Sequence, residues 1–349
     1  MLIDEPTPAK SGKTSPPLVR LQLLLPFINA LDRLRVDTEA VLALHGIARE
    51  SVQDSNLFIS VNIIHRFLED AVAAANDPFI GVHVGERLDF STWSPLIDAA
   101  ARASTLADFL TRFILAASDD ASSAKHSLDI KGTHTFFRER RVSEPDITPS
   151  QNDAFTAAYV LTILQNAVGE HWHSKMVLLQ VCTPEALPAR YRGIQIVGGD
   201  NRGMSIRFPT TWLTQVINRS GFISPSIEPI KKNLPPDSFL EALWLTLNTR
   251  LGSDKLTVDH VAQLLGLSRQ TLQRQLKASG TSLTQELVKL KQQHATEALA
   301  HTDRPVAEIG EALGFHNPAS FTRAFKLWTG QSPRAYRNTH SDSCSRSIR

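Results

Sequence analysis

From Leu18 to about Ala117, apolar residues recur at intervals of three and four, as in Val61, Ile64, Phe67, Leu68 and Val72. That spacing lines one face of a helix and predicts a helical stretch. Past Ser122 the period shortens: Ser127 to Ile130 and Thr133 to Phe137 flank Lys131 and Gly132, predicting a β-hairpin with those two residues as its turn. A further helical stretch, Asn152 to Val168, precedes the strand-like runs Val177 to Val181, Ile194 to Val197 and Met204 to Phe208. The last two runs enclose Gly198, Gly199, Asp200, Asn201, Arg202 and Gly203. A phosphate cradle needs a helix N-terminus after its glycines, and a strand follows here, so these residues are read as a hairpin turn. Pro225, Pro229, Pro235 and Pro236 then break every period and mark a linker. Beyond it Ser238 and Glu241 form a capping-box pair opening a helix that Gly252 can close, and helical periodicity continues to Tyr336.

Within that last region one pattern occurs twice: TVDHVAQLLGLSRQTLQRQLKASG and PVAEIGEALGFHNPASFTRAFKLWTG. Val261, Ala262, Leu265, Gly266 and Leu267 answer Ile309, Gly310, Leu313, Gly314 and Phe315, each 48 residues on. After one inserted turn residue, Leu272, Arg274, Leu276 and Lys277 answer Phe321, Arg323, Phe325 and Lys326, each 49 residues on. Each copy reads as a helix-turn-helix. Ala262 or Gly310 permits a close helix crossing, and Gly266 or Gly314 supplies the positive φ of a short turn. Ser268 and Asn317 can cap the following helices, with Pro318 at a first helical position. Leu272 and Leu276, like Phe321 and Phe325, face inward and leave an outward set for DNA. That set is Ser268, Arg269, Gln270, Gln273, Arg274 and Lys277 in the first copy, and Asn317, Ala319, Ser320, Thr322, Arg323 and Lys326 in the second. Arginine and glutamine reach guanine and adenine edges bidentately, whereas alanine and threonine methyls meet the thymine methyl. Between the copies Ser282 and Gln285 cap a helix from Leu283 to about Ala300, a rod of roughly 27 Å. Neighbouring major grooves on one DNA face lie about 34 Å apart, so such a rod lets one chain reach two of them if the DNA bends slightly.

The 349 residues suit two domains, and 42% hydrophobic with 21% charged residues excludes a mainly disordered or collagenous chain. The fold class is α+β: a mixed N-terminal domain plus an all-α C-terminal domain with two helix-turn-helix units joined by a long helix. The expected boundaries are a disordered tail at 1–17, the mixed domain at 18–224, the linker at 225–236, the helical domain at 237–338 and a second disordered tail at 339–349. Residues 237–349 carry 14 Lys+Arg against 10 Asp+Glu, while the first 236 carry 23 against 25, so the basic excess sits with the repeats. Cys182, in an apolar strand, and Cys344, in a polar tail, provide no disulfide framework and fit a reducing, cytoplasmic setting. No signal peptide or membrane span is read, since Arg20, Gln22, Pro26 and Asn29 interrupt Leu18 to Leu31.

Other chemical patterns give no site. Gly12, Lys13 and Thr14 end like a phosphate loop whose first glycine would fall on Thr7. His171 and His173 are taken as strand neighbours at the surface without a third ligand, so no metal and no cofactor is expected. Asp119 and Asp120 follow a helix, unlike a phospho-acceptor pair, which follows a buried strand.

The tandem units and the ending GFHNPASFTRAFKLWTGQSPRAYR closely resemble the DNA-binding domain of the AraC/XylS family of bacterial transcription regulators. The resemblance covers about 100 residues and is carried by Gly314, Phe321, Arg323, Phe325, Lys326, Gly330, Ser332, Pro333, Tyr336 and Arg337. Residues 20–215 are similar to the effector-sensing domain of the ornithine-utilisation regulator subgroup, around Gly81, Gly85, Thr105 and Leu106. They depart from it at Tyr191, Arg192, Gly193 and Ile194, where the subgroup often carries a Phe-Gly pair, and no ligand contacts are carried over. The resemblance implies a one-component regulator, more often an activator, with promoter DNA, RNA polymerase and a small-molecule effector as partners. It also implies pairing of relatives through the N-terminal domain; no enzymatic activity is expected, since residues 20–215 offer no nucleophile, metal cluster or cofactor loop. The alternative is a DNA-repair alkyltransferase-type protein with a similar DNA-binding domain, which needs a zinc-bound cysteine cluster and a nucleophilic cysteine.

Overall fold

The structure, a computed structural model, describes residues 16–90, 92–189, 191–217, 234–248, 251 and 256–344. Most of the expected tail at 1–17, Pro225 and Pro229 of the linker, the helix stop at Gly252 and residues 345–349 lie outside these. The chain divides into two compact units, one over Pro16–Pro236 and one beginning at Asp237.

The first unit opens with β1 (Leu18–Arg20), followed by α1 (Leu25–Arg33), α2 (Thr38–Leu44) and β2 (Phe58–Ser60). The two strands pair antiparallel with Leu18 opposite Ser60, inside a stretch whose periodicity predicts helix alone. Three-residue strands are too short to impose a period of two on the sequence. Arg20, fully buried, ion-pairs with Asp120 and donates to the Asp119 main-chain carbonyl at 2.8 Å, so the Asp120 carboxylate serves the fold. Next come α3 (Val61–Ala75), α4 (Ile80–Glu86), α5 (Ser94–Arg102) and α6 (Leu106–Asp120). Ser60 caps α3 and Thr105 caps α6 through their hydroxyls.

β3 (Ala124–Lys131) and β4 (His134–Arg141) form the expected hairpin, but Lys131 pairs with His134, so the turn is Gly132 and Thr133. Gly132 has φ 59°, and a turn with glycine first matches the right-handed twist of the strands. α7 (Ser150–Val168) is buried around nearly its whole circumference. Gly81 and Gly85 let α4 cross it closely: a Cβ on Gly81 would stand 2.5 Å from the Gln151 carbonyl oxygen, and one on Gly85 2.6 Å from that of Phe155.

β5 (Leu178–Val181), β6 (Gln195–Gly198) and β7 (Gly203–Pro209) complete a sheet of order β3-β4-β7-β5-β6. The glycine-rich segment is therefore not a hairpin turn. β6 pairs parallel with β5, and β7 lies between β4 and β5, antiparallel to both. The segment from Gly199 to Arg202 crosses β5, a span of roughly 10 Å that four residues can cover. Cys182 lies one residue beyond β5 rather than within it, and His171 and His173 lie on a short turn and loop rather than a strand.

The second unit contains α8 (Phe239–Asn248), α9 (Val258–Leu264), α10 (Arg269–Ala278), α11 (Leu283–His301), α12 (Val306–Ala312), α13 (Pro318–Thr329) and α14 (Pro333–Cys344). The Ser238 hydroxyl accepts from the Glu241 amide at 3.2 Å, and the Glu241 carboxylate accepts from the Asp237 amide at 2.9 Å. α11 serves both halves. Leu283 and Leu290 are buried near its start, while Ala295 and Leu299 join Ile309, Leu313, Phe321 and Phe325 in a second core. α14 corrects the tail expected from residue 339, since the helix continues to Cys344. The Thr339 hydroxyl donates to the Ala335 carbonyl at 2.9 Å, and the His340 ring stacks on Tyr336 at 3.9 Å. No glycine or proline interrupts 334–344.

Candidate nucleic-acid interface and internal cavity

In the first helix-turn-helix, α9 and α10 meet at Gly266, φ 63°; in the second, α12 and α13 meet at Gly314, φ 76°. Both turns use the left-handed conformation that glycine adopts without steric cost. A Cβ on Gly310 would approach Phe321 to 3.0 Å, so this glycine sets the helix crossing of the second unit. The Ser268 hydroxyl accepts from the Thr271 amide at 3.1 Å, and the Asn317 side-chain oxygen accepts from the Ser320 amide at 2.8 Å. The two caps thus fix where each recognition helix begins.

Leu272, Leu276, Phe321 and Phe325 are buried, and that burial orients the remaining positions. On α10 and its cap, Ser268, Arg269, Gln270, Gln273, Arg274 and Lys277 are exposed. On α13 and its cap, Asn317, Ala319, Arg323 and Lys326 are exposed, whereas Ser320 and Thr322 are half-buried. The Thr322 hydroxyl is engaged by its own helix, donating to the Pro318 carbonyl at 2.9 Å. Arg323 donates to the Ser320 hydroxyl at 3.3 Å, and Arg269 pairs with Asp259 of α9 at 2.6 Å. Sequence reasoning missed that Asp259 partner. It also missed Leu327, 85% exposed one turn beyond Arg323. Its signal was there: Leu327 falls out of phase with Phe321 and Phe325.

Glu286 of α11 was also passed over. It is buried, and its carboxylate accepts from Trp244 Nε1 at 2.6 Å and from Lys289 Nζ at 2.8 Å, with the Thr281 hydroxyl as a further donor. Burial raises this carboxyl, but the three donors outweigh it and hold the group below the usual carboxylate range. The Trp244 bond thereby ties α8 to α11.

The first unit holds a cavity of about 110 Å³ between α1, α3, α6, α7 and the β3-β4 hairpin. Trp93 packs on Phe155 and Tyr159 with centroids 5.6 and 5.3 Å apart, giving it an aromatic wall. Across from these apolar groups are charged ones. Glu139 accepts from Asn152 at 3.2 Å and Thr156 at 3.3 Å, and its Oε2 lies 3.4 Å from His126 Nε2. Burial raises the Glu139 carboxyl, but His126, Arg141 and Thr156 outweigh it and bring the group down to about 2. Burial, then the charge of Arg141, pushes His65 down to about 4. Arg141 ion-pairs with Asp153, which also accepts from the Cys182 amide at 3.0 Å. Among the described residues no group of three or more histidines, cysteines and carboxylates could hold a metal ion.

Residues 261–339 match the family profile of a helix-turn-helix domain, and residues 36–215 match that of the N-terminal arabinose-binding domain of AraC transcription regulators. The latter stretch is just over half of the chain. The chain is 36% identical over 80 residues to the ornithine utilization regulator of Pseudomonas aeruginosa, covering 23% of this chain and 24% of that protein. It is 22% identical over 337 residues to the HTH-type transcriptional regulator VirS of Mycobacterium tuberculosis, covering 92% and 96% of the two chains. Several curated relatives, the ornithine utilization regulator among them, are matched over about a quarter of their own length. The crystal structure of the transcriptional regulator CdpR from Pseudomonas aeruginosa aligns over 88% of this chain and 98% of its own, at 17% identity and a TM-score of 0.36.

Proposed function

We propose, since this chain belongs to the AraC family of transcription regulators, that it is a one-component regulator whose two helix-turn-helix units read promoter DNA under the control of a small molecule bound by its first unit. The observation that carries this reading is the pair of capped recognition helices, each with an exposed arginine on the face opposite its buried residues. Ser268, Arg269, Gln270, Gln273, Arg274, Lys277, Asn317, Ala319, Ser320, Thr322, Arg323 and Lys326 are the proposed contact residues. Arg274 and Arg323 read base edges, and Lys326 meets phosphate. The internal cavity supports effector binding in the first unit. Family membership supports activation through RNA polymerase, pairing of two copies through the first unit, a cytoplasmic location and sensing rather than catalysis. Among the described residues no helix is long and apolar enough to cross a membrane.

The alkyl-transfer alternative needs a thiolate. Burial, with the charge and hydrogen bond of Asp153, pushes the Cys182 thiol up to about 12, so it stays protonated. The test is binding of the full chain to the promoter region of its own gene. Affinity should drop steeply as salt rises from 50 to 200 mM, as it does when lysines and arginines displace counterions. Absent or salt-independent binding would contradict the reading.

A further inference from the structure

The cavity in the first unit carries more chemistry than an apolar void needs. Four buried side chains that line it each keep a polar atom with no protein partner: Asn62 Oδ1, His65 Nδ1, Trp93 Nε1 and Arg141 Nε. His65 is 2% exposed, Trp93 8% and Asn62 9%, so these atoms are shut off from bulk solvent. Buried polar atoms are nearly always paired, and four orphans around one cavity mark a place built to receive something. Two of them, the Trp93 indole N–H and the Arg141 Nε–H, can only donate. Asn62 offers an acceptor oxygen. His65, held neutral at pH 7, presents one donor and one acceptor nitrogen.

Size and charge narrow the occupant. A cavity of about 110 Å³ is comparable to the engineered void of roughly 150 Å³ that takes a benzene ring. The walls formed by Trp93, Phe155 and Tyr159 suit a flat ring face. The charged groups are already matched within the protein, Arg141 with Asp153 and Glu139 with His126, Asn152 and Thr156. An anionic ligand would meet the Glu139 carboxylate. A cationic one would have to give up its water shell for a carboxylate whose oxygens already have donors.

We infer that this cavity binds a small uncharged ring compound carrying a hydroxyl group, whose oxygen accepts from Trp93 Nε1 and whose O–H donates to Asn62 Oδ1 while the ring packs on the aromatic wall. The inference rests on the effector role proposed above for the first unit and gives that effector a chemical class.

The test is calorimetry on the full chain at pH 7 with four probes of one shape: phenol, toluene, benzoate and benzylamine. Phenol is expected to bind at least tenfold more tightly than the other three. Trp93→Phe, which keeps a ring and removes the N–H, should bring phenol down to the level of toluene. Should that variant fail to unfold cooperatively in urea, Asn62→Leu serves instead, with phenol again expected to lose its advantage. Benzoate or benzylamine binding as tightly as phenol would overturn the inference. So would no binding of any probe by a folded protein, which would leave water as the occupant of the cavity. A bound ring that leaves DNA occupancy unchanged would sustain the site and sink its effector role. An unrelated metabolite that shifts DNA occupancy when phenol does not bind would do the reverse.

Discussion

Two charged or titratable residues at the cavity make acid stability a readable property of single side chains. His65 falls from 6.5 to about 4 on folding, chiefly through burial. Below pH 6.5 the unfolded chain takes up a proton that the folded one refuses, so stability drops between pH 6.5 and 4, by about 3 kcal/mol in total. Glu139 falls from 4.5 to about 2, so its contribution is present above pH 4.5 and disappears as pH falls to 2. His65→Gln should therefore lessen the loss between pH 6.5 and 4 and leave the lower window in place. Hydrogen exchange along α3 in the full chain at pH 7, 5.5 and 4.5 measures it, and parallel pH profiles for the two proteins would contradict the assignment. A second residue-scale test concerns Gly85, where an added methyl would stand 2.6 Å from the Phe155 carbonyl oxygen and 2.7 Å from Ala158 Cβ. Gly85→Ala should destabilise the first unit by about 1 to 3 kcal/mol, seen as a lower urea midpoint. An unchanged midpoint would mean that α4 and α7 can separate freely. Sequence showed Gly85 as a point of family resemblance without its cause, because the residue it must clear lies 70 positions on. The buried charges of β4 were not read either, since its expected run stops at Phe137. Thr135, Phe137, Glu139 and Arg141 share one face of β4 by alternation, so a buried face that carries one phenylalanine ends in two buried charged side chains.

Helices with caps and a sustained period were readable as elements, and β5, β6 and β7 were readable as strand-like runs, but how those strands pair was not. α10 and α13 begin where Ser268 and Asn317 predict, because a cap is a local bond within four residues. The Gly199 to Arg202 segment was misread because adjacency in sequence favours a hairpin, while the parallel pairing of β5 with β6 is decided by contacts 17 residues apart. β1 and β2 escaped notice for the same reason, since their register joins Leu18 to Ser60 across two helices. The caps also yield a prediction at this scale. Asn317→Ala should cost the second helix-turn-helix about 1 kcal/mol by freeing the Ser320 amide. Faster hydrogen exchange at residues 319–322, with α10 unaffected, is the expected result. Equal change in both helices would show that the two units share one cooperative core.

At the scale of the whole molecule, the repeat makes the candidate interface legible in the sequence, while the cavity stays hidden. A repeat is a relation between sequence positions, whereas the cavity gathers residues from Val19 to Tyr159 that only packing brings together. One chain is proposed to read two neighbouring DNA segments, one with each recognition helix. Selection of bound duplexes from a random-sequence pool by the full chain tests it directly. Two short preferred segments centred about 10 base pairs apart are predicted, as for two helices in successive major grooves. Arg274→Ala should erase preference within one segment and Arg323→Ala within the other, each at a cost of about 1 to 3 kcal/mol in discrimination. Lys326→Ala should weaken all selected sequences alike. A single contiguous segment, or equal loss across both segments from either arginine variant, would contradict the account.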